Sequence, residues 1–245
     1  GVLGLEAAWE LKKAGLRVTV LEAAPMLMGR QLDATAGTIL KEIVEKNGIS
    51  IHTGVTIESI DADESGAVSG VTLQSGESFP AQLVIISAGV RANTALAKEM
   101  GLRSEEQVER AVVVNSHMET GLKNIYACGD CAEYKGANFA IWPEASEQGR
   151  IAGANAAGDS LEYREVSSAL TFNGMNTSLY AAGDNGKNPN LLYKTVEFKD
   201  MGKEQYRKYY FLNNRLCGVI LIGDVSRMAE MTQALEEHVQ YQELK

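Results

Sequence analysis

The chain has 245 residues, 45% hydrophobic and 22% charged, with a formal net charge of −9 at pH 7. This composition is typical of a soluble globular protein, and the acidic balance argues against a nucleic-acid-binding surface. The apolar runs are too short to span a membrane and three cysteines are too few for a disulfide framework, so we expect a cytoplasmic setting.

The first predicted element is a helix over residues 3–14 that begins in a glycine-containing turn. Gly1-Val2-Leu3-Gly4 has the spacing of the second half of a G-x-G-x-x-G fingerprint. Such a turn holds a dinucleotide pyrophosphate on backbone N–H groups at the positive end of the helix. Gly1 would allow close approach of the phosphates, and Gly4 would allow tight packing of the helix on a sheet. The alternative is a glycine-containing helix start that binds nothing.

A predicted strand over residues 17–21 follows and ends at Glu22. An acid about 20 residues after the turn, at the carboxyl end of the next strand, accepts hydrogen bonds from the adenine ribose hydroxyls. A carboxylate at this position repels a 2′-phosphate. The sequence therefore predicts binding of NADH rather than NADPH.

Helical and strand patterns alternate up to residue 112. A helix is predicted over residues 33–46, short strands over 50–52, 56–61 and 68–73, and a continuous apolar strand over 83–86. Such a continuous run is typical of a strand buried on both faces of a parallel sheet. We interpret residues 1–112 as a three-layer dinucleotide-binding (Rossmann-like) α/β domain with a β-meander crossover. Because no Met and no strand precede Gly1, we expect its first strand to be missing.

Two further segments complete the predicted organisation. Residues 113–158 contain a predicted strand over 124–130, which ends at Gly129 and Asp130, and a helix over 144–157 that Pro143 opens. Residues 159–245 are rich in strands, predicted at 169–173, 177–182, 191–198, 206–212 and 216–222, and end in a helix over 226–240. Asn213-Asn214 predicts a hairpin between the last two strands. We interpret residues 159–245 as a separate small α+β domain.

Four segments in this order resemble the pyridine nucleotide–disulfide oxidoreductase superfamily of FAD flavoproteins. They are the turn through Glu22 and residues 85–93, 125–130 and 142–149. The Trp142-Pro143-x-Ala145-x-x-Gln148-Gly149 segment is most similar to the branch that contains NADH:rubredoxin reductase, the nitrite reductase large subunit and NADH oxidase. The resemblance implies that an N-terminal FAD segment is absent, and with it any reactive cysteine that lies there.

The resemblance also implies roles for single residues. Asp130 would accept a hydrogen bond from the FAD ribityl hydroxyl, and Gly129 would let the backbone approach the FAD pyrophosphate. Trp142 and Pro143 open a helix whose positive end would face the flavin N1–C2=O region and stabilise the reduced flavin.

Two more residues gain roles from the resemblance. Glu6 corresponds to the family glutamate near the nicotinamide carboxamide and flavin N5, and is our candidate catalytic residue. Its alternative is structural, because the helix dipole favours a glutamate in an early turn. Gly89 would contact NADH near its pyrophosphate or nicotinamide ribose.

The Cys128-x-x-Cys131 pair offers a different interpretation, as a redox dithiol or metal site. We discount it because these positions belong to the flavin-contact motif and no second C-x-x-C supplies metal ligands. We therefore expect no metal site.

Together these features predict an FAD-dependent NADH:acceptor oxidoreductase. Electrons would pass to a small carrier protein such as rubredoxin or to a nitrite-reductase-type partner. The alternatives are an NADH oxidase that uses oxygen and, because half the FAD site would be missing, an inactive nucleotide-binding fragment. The aromatic side chains of residues 206–211 are predicted to pack within the sheet, and the alternative is an interface, in a homodimer or against an electron-carrier protein.

Overall fold

The computed structural model describes residues 1–102, 107–108, 110–164, 169–200 and 202–243. The chain divides into two compact units. The first combines Gly1–Ala88 with Ala169–Lys245, and the second is Gly89–Ser168. Helices and strands alternate over residues 2–53 of the first unit, as the predicted α/β fold class requires. The three-domain division at residues 112 and 158 stays a prediction.

Two helices and two parallel strands open the first unit. In chain order they are α1 (Val2–Lys13), β1 (Thr19–Glu22), α2 (Ala34–Lys46) and β2 (Ser50–Thr53). β1 and β2 pair in parallel, and Glu22 is the last residue of β1. Asp33 caps α2, because its Oδ1 accepts the Ala36 N–H at 2.8 Å. The predicted order of helices and strands is thus confirmed up to residue 53.

An antiparallel meander follows. Its strands are β3 (Ile57–Ala62), β4 (Val68–Leu73) and β5 (Ser78–Pro80), with β4 in the centre. The two turns contain Gly66 and Gly76, whose φ angles of 84° and 86° are in the left-handed region that glycine adopts without strain. The predicted β-meander is confirmed.

The apolar segment after the meander differs from its prediction. Residues 83–86 form no strand with any described part of the chain, and Leu83, Ile85 and Ile86 are 59%, 52% and 74% exposed. The predicted buried strand is therefore wrong for this structure, because a buried strand needs a paired neighbour and cover on both faces. The next residue, Ser87, lies against α1: a Cβ added at Gly4 would meet Ser87 Cβ at 3.4 Å.

The second unit is built around another pair of parallel strands. Its elements are α3 (Ala95–Glu99), β6 (Val112–Val114), β7 (Ala132–Tyr134) and α4 (Trp142–Ala156), and β6 pairs with β7. The strand predicted over 124–130 is wrong. Among the described residues, Tyr126 forms a single bridge to Glu119, and Gly129–Cys131 is a 3-10 turn. Gly129 has a φ of 73°, which extended backbone does not tolerate.

The C-terminal segment forms a five-stranded antiparallel sheet. The strands are β8 (Leu170–Gly174), β9 (Thr177–Gly183), β10 (Lys194–Asp200), β11 (Gln205–Leu212) and β12 (Arg215–Ile222). Their order in the sheet is β10-β11-β12-β9-β8. The predicted hairpin is confirmed: Asn213 and Asn214 have φ angles of 49° and 65°, as a turn between β11 and β12 requires.

A final helix, α5 (Met228–Glu236), is shorter than the predicted 226–240. It ends early because His238 takes a left-handed φ of 51° and the Val239 N–H returns to the Ala234 carbonyl at 3.0 Å. Just before this helix, Asp224 Oδ1 accepts the Ser226 N–H at 3.0 Å. No helix in the described ranges is long and apolar enough to cross a membrane.

Helices cover both faces of the C-terminal sheet. One face joins α1, α2 and β2 in a common apolar cluster that includes Leu5, Leu40, Phe172, Tyr206 and Ile220. The other face packs on α5 through residues that include Tyr180, Val219, Met231 and Leu235. The C-terminal sheet and the predicted dinucleotide-binding segment therefore share one core.

Candidate functional site

The turn at Gly1 opens α1 without any side chain that caps it. Gly1 is the N-cap residue and makes no side-chain hydrogen bond, and a Cβ added to it would meet no atom within 4 Å. The first N–H groups of a helix have no partner inside the helix. This end of α1 therefore offers uncapped N–H donors to a phosphate.

The Glu22 carboxylate lies beside this turn. Glu22 Oε2 is 3.5 Å from the Gly1 nitrogen, and the Glu22 side chain is 24% exposed. Its other oxygen, Oε1, accepts the Ala24 N–H at 2.9 Å, which fixes the direction of the carboxylate. The structure thus brings together the two parts of the predicted dinucleotide site, which are 21 residues apart in the sequence.

The remaining predicted residues of α1 point in different directions. Val2 packs against the core cluster, whereas Leu3 is 74% exposed. Gly4 faces Ser87. Glu6 is half-buried and its carboxylate makes no hydrogen bond with any described residue. Glu6 therefore has a free carboxylate, but no contact on this chain assigns it a role.

Two motifs of the second unit meet at Gly129. Gln148, on α4, is 2% exposed and its Oε1 accepts the Gly129 N–H at 2.8 Å. A Cβ added at Gly129 would meet Ala145 Cβ at 3.4 Å, so α4 packs closely on the turn. The Cys-Gly-Asp turn and the W-P-x-A-x-x-Q-G helix therefore form one structural feature.

Asp130 follows in the same 3-10 turn and is exposed. Its carboxylate makes no hydrogen bond with any residue that the structure describes, whereas its carbonyl accepts Asn138 Nδ2 at 2.9 Å. The same Asn138 amide also donates to the Ala132 carbonyl at 2.7 Å. The backbone of the turn is held in place while the acid stays available to a ligand.

The start of α4 is similarly open. Ile141, its N-cap residue, makes no side-chain hydrogen bond to the helix, and Trp142 is 86% exposed. Pro143 occupies the first turn, as predicted.

Gly89 lies elsewhere in this unit. It is exposed and has a φ of 85°, and a Cβ added to it would meet no atom within 4 Å.

The cysteine pair does not have the properties of a reactive dithiol. Cys128 and Cys131 are free thiols, and Cys131 Sγ donates to the Cys128 carbonyl at 3.3 Å. Burial raises the pKa of Cys128, and the neighbouring Cys131 raises it further, so the reactive thiolate is disfavoured. No group of three or more His, Cys, Asp or Glu among the described residues could hold a metal ion.

Sequence reasoning missed the residues that support these groups. Gln148 belongs to the W-P-x-A-x-x-Q-G motif, but the motif assigns it no role, although its spacing of three residues from Ala145 predicts the same helix face. Asn138 gave no signal, because its two carbonyl partners are fixed by the fold of a loop. Asp33, the cap of α2, has further long-range partners that no local pattern indicates.

Comparisons with known proteins agree with the motifs. Residues 1–149 match the family described as pyridine nucleotide-disulphide oxidoreductase, and residues 169–239 match the rubredoxin NAD+ reductase C-terminal domain. A nitrite reductase (NAD(P)H) of Bacillus subtilis is 34% identical over 229 residues, which are 92% of this chain and 27% of the relative. An NADH-rubredoxin oxidoreductase of Clostridium acetobutylicum is 28% identical over 237 residues, 96% of this chain and 56% of the relative.

A solved structure agrees as well. The crystal structure of NADH:rubredoxin oxidoreductase from Clostridium acetobutylicum superposes with a TM-score of 0.72 at 28% identity and covers 100% of this chain and 59% of that one. The chain therefore spans less than two thirds of the length of each of these relatives.

Proposed function

The chain belongs to the pyridine nucleotide-disulphide oxidoreductase family, and we propose that it acts as an FAD-dependent NADH:acceptor oxidoreductase. The observation that carries the proposal is the Glu22 carboxylate, 3.5 Å from the Gly1 nitrogen at the uncapped start of α1. A carboxylate that could accept ribose hydroxyls therefore lies beside N–H groups that could bind a pyrophosphate.

The residues of the first unit fit a reduced nicotinamide dinucleotide. The backbone of Gly1, Val2 and Leu3 would bind the pyrophosphate, and Gly4 would let α1 pack closely behind it. Glu22 would accept the adenine ribose hydroxyls and disfavour a 2′-phosphate. Because Ala24 already fixes Glu22 Oε1, the carboxylate is oriented before the ligand binds.

The residues of the second unit fit a flavin nucleotide. Gly129 lacks a side chain where Ala145 packs against it, and the free Asp130 carboxylate could accept a ribityl hydroxyl. The first turn of α4 is uncapped, and although Pro143 has no N–H, other backbone N–H groups of this turn, such as that of Trp142, could face the electron-rich edge of a flavin. When bound, FAD would take up a hydride from NADH and pass its electrons on.

Two residues are assigned to the nicotinamide end of the coenzyme. The half-buried Glu6 carboxylate would accept a hydrogen bond from the carboxamide and orient the ring. The left-handed turn at Gly89 would let the backbone approach the pyrophosphate or the nicotinamide ribose.

The acceptor we propose is a small electron-carrier protein or a nitrite-reductase-type partner. The match of residues 169–239 to the rubredoxin NAD+ reductase C-terminal domain supports the carrier. The alternatives are oxygen as acceptor and a nucleotide-binding module without catalysis. Rubredoxin reduction by NADH under anaerobic conditions supports a carrier, whereas oxygen consumption at the same rate without a carrier supports an oxidase.

The test of the proposal is to add NADH to the protein under anaerobic conditions in the presence of FAD. Tight NADH binding, with bleaching of the flavin absorbance band, supports the oxidoreductase. NADH binding without retained flavin supports the nucleotide-binding module. If NADH does not bind at all, the dinucleotide site proposed at Gly1 and Glu22 is wrong.

A further inference from the structure

The Asp33 carboxylate connects the loop after Glu22 to the C-terminal sheet. Asp33 Oδ2 accepts hydrogen bonds from three side chains of β11. They are Tyr206 at 3.1 Å, Lys208 at 2.8 Å and Tyr210 at 2.8 Å. Because these residues alternate along the strand, their side chains leave it on the same face. The partners of one oxygen are therefore all presented by one strand.

Glu197 on β10 completes the cluster. We call Asp33, Glu197, Tyr206, Lys208 and Tyr210 the Asp33 network. Glu197 Oε2 lies 3.1 Å from Lys208 Nζ and accepts the Tyr206 hydroxyl at 3.1 Å. The side chains of Asp33 and Lys208 are only 13% and 16% exposed, so water screens this ion pair weakly.

The protonation states keep these hydrogen bonds intact. Burial raises the pKa of Asp33, but hydrogen bonds from Lys208, the backbone and Tyr210 outweigh it, so the pKa lies below its usual value. Burial and the nearby carboxylates raise the pKa of Tyr206 and of Tyr210. At neutral pH both tyrosines are therefore donors to a charged carboxylate, and such bonds are among the stronger ones.

The network ends a segment that begins at Glu22. We call residues 23–32, between Glu22 and Asp33, the ribose loop. Two more residues of the C-terminal segment hold this loop in its middle. Lys187 Nζ donates to the Gly29 carbonyl, and Asn185 Nδ2 donates to the Arg30 carbonyl at 3.0 Å. The ribose loop is thus attached to the C-terminal sheet at its middle and at its end.

We propose that the Asp33 network and Lys187 are positioning elements that set the affinity of the Gly1–Glu22 site for NADH. This proposal rests on the proposed function of the Gly1–Glu22 site. It gives residues of the C-terminal segment a role in NADH binding that does not require them to touch the coenzyme. By fixing the ribose loop, these contacts would keep Glu22 in the orientation that receives the ribose.

The physical basis is preorganisation. The apparent Kd of a ligand rises in proportion as the binding-competent conformation becomes less populated. If a bond to the Asp33 carboxylate is lost, the ribose loop can leave its binding conformation. NADH binding would then weaken, although no contact to NADH is removed. An effect of about three- to tenfold per bond is expected from the net contribution of a typical hydrogen bond.

Tyr210→Phe, with Tyr180→Phe as matched control, tests the inference. Tyr180 is as buried as Tyr210, at 2% exposure, but its hydroxyl pairs with Thr232 at 2.8 Å, in the cluster that packs on α5. Each change deletes one buried hydroxyl from the same sheet, so both should lower Tm. The Kd for NADH, from coenzyme fluorescence, should rise about three- to tenfold in Tyr210→Phe and stay unchanged in Tyr180→Phe.

Lys187→Met adds a variant that keeps the core intact, because Lys187 is exposed. It should raise the Kd for NADH while Tm stays at the wild-type value. Equal Kd values in wild type, Tyr210→Phe and Lys187→Met would overturn the inference and leave the network a purely structural feature. Failure of the wild-type protein to bind NADH would instead overturn the proposed function, and the inference with it.

Discussion

Replacing Gln148 by Met isolates the hydrogen bond between α4 and the Gly129 turn. Gln148 Oε1 accepts the Gly129 N–H at 2.8 Å, and Gln148 is 2% exposed. Met is as long and as flexible as Gln but offers no oxygen, so the N–H loses its acceptor with little change in packing. The variant therefore tests whether this bond shapes the flavin site.

The structure sets the size of the expected effect. A buried N–H left without an acceptor costs about 1–3 kcal/mol. Water does not reach the buried Gln148 amide position easily, so little of this cost is recovered. If the cost falls on the Gly129 turn, which we propose to bind FAD, the Kd for FAD rises about five- to 150-fold.

The assay is a titration with FAD followed by quenching of flavin fluorescence, with thermal unfolding measured in parallel. Gln233→Met is the control, because Gln233 is an exposed residue of α5 whose amide donates to Glu237 at 2.8 Å. It should bind FAD like the wild type. An unchanged FAD affinity in Gln148→Met would refute the argument that Gln148 shapes the Gly129 turn for flavin.

Three further predictions concern the predicted contact residues. Glu22→Ala should weaken NADH binding about tenfold and narrow its advantage over NADPH, measured by calorimetry; an unchanged ratio of the two Kd values would contradict its ribose role. Asp130→Ala should lower the flavin-to-protein absorbance ratio, and full retention of flavin would count against its contact. Alkylation of Cys128 and Cys131 tests the dithiol; at Cys128 it should be slow at neutral pH and speed up as the pH rises toward the raised thiol pKa of that residue. It should leave flavin reduction by NADH largely intact in stopped-flow traces, whereas lost reduction with flavin still bound would revive the dithiol.

The parts of the fold that the sequence predicts are those in which local chemistry decides. Asn213-Asn214 predicts its hairpin because two consecutive left-handed residues are required there and Asn adopts that conformation readily. Glu22 is predicted to end its strand because the run of strand-forming residues over 17–21 stops there, and Glu22 is the last residue of β1. In both cases the determining contacts lie within a few residues, so periodicity and residue type contain enough information.

The apolar run over residues 83–86 is a segment whose structure its own composition does not predict. Its composition predicts a strand buried on both faces, yet Ile86 is 74% exposed and no strand among the described residues pairs with it. Composition indicates which environment a segment would fit, but burial depends on whether other elements lie beside it. That property belongs to the tertiary structure and cannot be derived from the segment itself.

Asp33 combines both situations in one side chain. Its bond to the Ala36 N–H is a local helix cap, three residues away and recognisable in the sequence. Its other oxygen meets Tyr206, Lys208 and Tyr210, which lie 173 to 177 positions downstream. Residues that bind a ligand follow spacings that the chemistry of the ligand imposes. Residues that orient these binding residues need only be close to them in the folded structure. A sequence motif can therefore predict Glu22 as a contact residue, whereas the contacts that fix the loop after it are visible only in the folded structure.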